Sequence, residues 1–196
     1  MDLDLSIAEI VREAFEDCFY TDINKPNRVV FNDPENYVAP FEVYRRDYSK
    51  LEKLGIGIKI VNPIKVGYEL GRNGECIDLV LHMIGIKYNS KDLEEYANRF
   101  ESLQNLDVPI DRCAVIYYSE IPIFFPEYRE HIGLFINGNV ISKWGSGPIF
   151  EHGISAVPYV GYFIANEGVY PKKHTVKFKS LEGFGVTHNG NKRQGL

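Results

Sequence analysis

The run RNGECIDLVLHMIG, from Arg72 to Gly85, is the stretch on which the fold turns. Asn73 and Gly74 tolerate the positive φ angles of a tight turn. After them Ile77, Val80, Leu81 and Ile84 fall at helical spacing, and Leu79 and Met83 widen the apolar surface until only Asp78 and His82 stay polar. The pattern predicts a buried helix with Gly85 as its C-cap. Cys76 enters in the first turn, where the positive end of the helix dipole and unpaired backbone N–H groups favour a thiolate and can hold an oxyanion once sulfur has attacked a carbonyl. Taken alone, the cysteine reads more simply as a small hydrophobe at a helix start. Asp78 and His82, one turn apart, read as the wet stripe of the helix rather than half of a site.

Upstream of this helix, Ser6 and Glu9 form a capping box, and Ile7, Ile10, Val11, Ala14, Phe15 and Phe19 then recur at helical spacing. Cys18 lies beside that stripe and is expected in the core. Residues 21–40 are rich in Asn, Asp and Pro and read as a loop holding one short strand candidate, Arg28 to Phe31. Glu42 to Leu54 has a helical tendency ending at Gly55, and Gly57 to Val66, with Pro63, reads as an edge strand or extended segment. Downstream, Asn89 or Ser90 caps a second amphipathic helix with Leu93, Tyr96, Ala97, Phe100 and Leu103 on one face, ending near Asn105. The period then changes. Strands are expected over Cys113 to Tyr118, His131 to Ile136, Asn139 to Trp144, Val157 to Ile164 and His174 to Phe178, with Asn137-Gly138 as a tight hairpin turn. Cys113, in a strand with no turn or helix start to activate it, is expected in the core.

These elements describe a single α+β domain, helices of the first half packed on a C-terminal antiparallel sheet. The divisions are a helical and loop lead-in at 1–66, a core at 67–182 and a flexible tail at 183–196. A length of 196 residues suits one domain with a sizeable core. The formal charge of −5 is spread without a basic face, which argues against nucleic acid or an anionic membrane as partner. Three cysteines without a CxxC pair argue against a disulfide framework and a zinc ribbon. No cofactor is implied, and a metal held by Cys76, His131 and His152 is disfavoured because no two ligands are closely spaced. The opening MDLDLSIAEIVREAF is acidic and amphipathic, unlike a secretory signal, and no stretch approaches a membrane span, so the expected location is cytoplasmic as synthesised, with signal-independent export left open.

A thiolate nucleophile needs a base, and the base a group that orients it. His131 opens the strand HIGLFI beside the Asn137-Gly138 turn and is the candidate base; its alternative is a half-exposed strand histidine. With a two-residue hairpin Ile136 faces Asn139, so His131 faces Trp144, and Ser142 lies on the same face one diagonal away.

A helix-opening cysteine, a helix, a strand and then a strand beginning His-x-Gly with a tight turn resembles the papain-like cysteine peptidases and amidases of the NlpC kind, with CHAP amidases similar. Pro109-Ile110-Asp111-Arg112, the strand Cys113 to Tyr118 and HIGLFINGNVIS from His131 to Ser142 carry the likeness over roughly residues 67–164. It implies a papain-like, NlpC-type fold, Cys76 as nucleophile and His131 as base. It places the orienting group at Ser142 or at His152 in SKWGSGPIFEHGISAVP. Tyr68 would line the site, as would Trp144 unless it belongs to the core. The Asp-Cys-Ser opening of cell-wall NlpC enzymes is absent, since Glu75 precedes and Ile77 follows Cys76. The activity implied is thiol hydrolysis of an amide or isopeptide bond, of the cell-wall peptidase or amidase type, on a peptide or peptidoglycan-like substrate. Two alternatives are a toxin or effector that deamidates or cleaves a protein, and an inactive NlpC-like binding module.

Overall fold

The computed structural model describes residues 1, 3–18, 48–61, 76–121, 125–144, 148–159, 162–165 and 168–186. The first helix, α1, spans Leu5–Asp17. Its cap is Asp4 rather than Ser6: the Asp4 carboxylate accepts from the Ser6 amide at 3.1 Å and from the Ser6 hydroxyl at 2.6 Å. An ionised acceptor at the positive end of the helix outcompetes a hydroxyl, and the Ser6 hydroxyl turns back to serve it. That bond first, then the Ile7 amide, holds the Asp4 carboxyl below its usual range. Ala8 and Val11 are buried and Phe15 packs beside them, whereas Ile10 points to solvent. Cys18 is buried, its thiol donating to the Ala14 carbonyl at 3.1 Å. A short helix α2 (Ser49–Lys53) buries Leu51. The strand candidate at 28–31 lies outside the described residues.

The helix read from the opening stretch is α3 (Cys76–Met83), with Ile77, Leu79, Val80 and Leu81 buried. Gly85 sits at φ +72°; its amide donates to His82 O and that of Ile86 to Leu81 O, the paired bonds of a Schellman stop. Asn89 caps a 3-10 turn, Ser90–Asp92, that leads into α4 (Leu93–Ser102), which buries Ala97 and Phe100.

The strands in chain order are β1 (Lys59–Val61), β2 (Asn105–Leu106), β3 (Cys113–Ile121), β4 (Phe125–Ile136), β5 (Asn139–Lys143), β6 (Ile149–His152), β7 (Tyr162–Ala165), β8 (Gly168–Pro171) and β9 (Lys173–Lys179). Seven form one antiparallel sheet in the order β1-β6-β5-β4-β3-β9-β2, and β7-β8 pair apart as a hairpin. β1 is the expected edge strand. β2 and β6 were not expected, and the strand expected at 157–164 is shorter and later, β7. Asn137 at φ +50° and Gly138 at φ +86° make the β4–β5 turn, pairing Ile136 with Asn139.

Both faces of the sheet are covered. On one, Cys113, Val115, Tyr117, Val140, Trp144, Phe150, Val176 and Phe178 pack against α1 and α2. On the other, Ala114, Ile116, Tyr118, Ile132 and Leu134 pack against α3, α4 and Leu181. The tail drawn at Gly183 starts too early. Phe184 packs on Phe100 with ring centroids 4.7 Å apart, Arg99 lies over its face at 4.2 Å, and Arg99 donates to Gly183 O at 2.8 Å. A small satellite core and a cation–π contact hold this turn down, so packing extends to Val186. No helix among the described residues is long and apolar enough to cross a membrane.

Candidate functional site: two faces of one sheet

Cys76 is the first residue of α3 and is half-buried, whereas Cys18 and Cys113 are buried; all three are thiols outside any disulfide. Burial pushes the Cys113 thiol up to about 11, which makes it inert at neutral pH. Cys76 packs with Ile77, Val80 and Leu81 on the α3 face of the sheet.

His131 is on the other face. It pairs across β3 with Tyr117, and Tyr117 belongs to the core beneath α1, whereas its neighbour Ile132 pairs with Ile116 beneath α3. Side chains alternate along a strand, so the expected Cys76–His131 pair is not assembled: the sheet lies between them. The His131 ring is 1% exposed and stacked 4.5 Å from Tyr159, with the Tyr117 ring 5.7 Å away on a tilt. Its Nε2 has no hydrogen-bond partner among the described residues. Burial first, and then the charge of nearby His152, press its pKa well below the ordinary range, so the ring is neutral at pH 7.

The other candidate residues gather on His131's side. Ser142 Oγ and His152 Nε2 are 2.8 Å apart, and His152 Nδ1 lies 2.8 Å from the Gly153 carbonyl oxygen. A carbonyl can only accept, so Nδ1 carries the proton and Nε2 accepts from the Ser142 hydroxyl. Ser142 Oγ in turn accepts from Trp144 Nε1–H at 3.0 Å. The three groups form a closed relay, Trp144 to Ser142 to His152 to the backbone. Burial lowers the His152 pKa to about 4, with the Gly153 bond opposing. A hydroxyl bonded to an imidazole has the wiring of an activated nucleophile. Here Ser142, Trp144 and His152 have no exposed surface, and Phe150 stacks on Trp144 at 4.3 Å, so the relay is a polar clasp inside the core. Trp144 thus belongs to the core. Gly133 makes room for the clasp strand: a Cβ there would come within 2.5 Å of Val140 Cγ1 and 3.1 Å of Ser142 Cβ. Tyr68 lies outside the described residues.

Sequence reasoning missed Lys143. It follows Ser142 in β5 and therefore faces the α3 side, where it is 4% exposed. Its cross-strand partner Ile149 packs with Leu79 of α3, which places the lysine under the start of that helix. Burial lowers its pKa, and Cys76 and Asp78 act against that lowering. The signal was available in the alternation of NVISK once the α3 face was known. Among the described residues no three His, Cys, Asp or Glu side chains come together as a metal-binding group. Compared with family models, curated proteins and solved structures, the chain matches none.

Proposed function

We propose that the protein is a thiol hydrolase that cleaves an amide or isopeptide bond, with Cys76 as nucleophile and a peptide or peptidoglycan-like substrate. The observation that carries this reading is the position of Cys76: of three thiols it alone combines a helix start with partial exposure. The first turn of α3 offers backbone N–H groups with no partner inside the helix, suited to a tetrahedral oxyanion. The resemblance of RNGEC, HIGLFING and SKWG to NlpC-like peptidases and amidases supports the same class. His131, Ser142 and His152 take no part in it; they hold the layer under α1.

A second reading is favoured by the separation of Cys76 from the histidines: an NlpC-like binding module without catalysis. Digestion of purified sacculi separates the two. Release of peptides by the wild type that disappears in Cys76→Ala supports the hydrolase, and equal release by both proteins, or none by either, supports the module.

A further inference from the structure

The α3 side of β5 holds a lysine where a cation is costly. Lys143 is buried, and its stem runs along Ile149 and Leu79 beneath the helix start. An ammonium there is desolvated and meets the positive end of the α3 dipole, two unfavourable effects together. Among the described residues, the titratable groups that act on it are Cys76 and Asp78, both from the first turn of α3, and its partner on β6 is the apolar Ile149. Asp78 supplies one negative charge. The remaining balance is between a neutral amine beside a thiol and an ammonium beside a thiolate.

We propose that Lys143, rather than a histidine, is the proton partner of Cys76. This rests on the thiol-hydrolase reading above. In the forward step sulfur bonds to the carbonyl carbon, its proton passes to Lys143 Nζ, and the ammonium delivers that proton to the leaving nitrogen as the C–N bond breaks. Water then attacks the thioester, gives a proton to Nζ, and the C–S bond breaks as the proton returns to sulfur. The amine suits this role because burial lets a lysine change its protonation near neutral pH, which an arginine does not do.

The test is the pH profile of iodoacetamide alkylation at Cys76, located by mass spectrometry in the full chain, for wild type, Lys143→Met and Lys143→Arg. Methionine matches the lysine stem and removes a buried charge, so that variant is expected to fold. The expected result is a higher Cys76 midpoint in K143M, with alkylation at pH 7 falling about tenfold for every pH unit by which the midpoint rises. K143R is expected to keep a low midpoint and lose hydrolysis of sacculi. A K143M profile that overlays wild type, or a K143R protein that hydrolyses at the wild-type rate, overturns the proposal. The alkylation profile needs no substrate, so it reads the Cys76–Lys143 pairing even where C76A shows that the hydrolase reading fails.

Discussion

Cys76 and His131 stand on opposite faces of the seven-stranded sheet, the first packed with Ile132 and Leu134, the second stacked on Tyr159. The consequence is a division of labour. The α3 face carries the accessible thiol and the buried lysine, and the α1 face carries a polar clasp among aromatic rings.

His131 brings a buried Nε2, unpartnered among the described residues, into the core. Replacing it by phenylalanine keeps the stack with Tyr117 and Tyr159 and removes the unsatisfied atom, so His131→Phe is expected to raise stability by about 1 kcal/mol. Urea unfolding followed by tryptophan fluorescence checks this. A loss of about 2 kcal/mol would mean that the imidazole has a partner on which the core depends.

Ser142 serves two buried neighbours at once, accepting from Trp144 and donating to His152. Ser142→Ala strands both, and the expected loss is about 3 kcal/mol with no change in the alkylation of Cys76. Equilibrium unfolding together with thiol labelling reads both effects.

Acid should loosen the α1 face. His152 has a folded pKa of about 4 against an unfolded value of about 6.5, so the unfolded chain binds more protons between those values. Its contribution is complete above pH 6.5 and is lost as pH falls toward 4, roughly 3 kcal/mol in all. His131 and His174, also lowered by burial, act in the same direction. Unfolding free energies at pH 7 and pH 5 should differ less in His152→Gln than in wild type; equal differences would assign the acid sensitivity elsewhere.

Gly133 faces Ser142 across the β4–β5 ladder with no room for a Cβ beside Val140. Gly133→Ala is expected to cost about 2 kcal/mol by overpacking, measured by thermal or urea unfolding. A neutral result would show that Val140 rotates away freely.

Much of this architecture was legible in the sequence. The α3 helix, its Gly85 stop and the Asn137-Gly138 hairpin follow from local patterns that tertiary packing had no reason to override. β6 was hidden because Ile149–His152 is four residues long and follows Gly-Ser-Gly-Pro, which reads as loop. β4 begins at Phe125, six residues before the expected His131, since Pro126 and the charged run after it mask the strand pattern. The site was misassembled for a different reason. The register correctly put His131, Ser142 and Trp144 on one face, but Ile132, Leu134 and Ile136 make the other face equally apolar. In a sheet covered on both sides, alternation cannot say which face a given helix takes. α3 took the face without histidines, and Lys143 became its polar neighbour.

The most direct test of this arrangement is the rate of Cys76 alkylation by iodoacetamide at pH 7 in His131→Phe relative to wild type. A thiol separated from His131 by the sheet should react at the same rate, within about twofold. A tenfold fall in a variant that folds as wild type, accompanied by a rise in the thiol midpoint, would place the imidazole beside Cys76 and contradict the account.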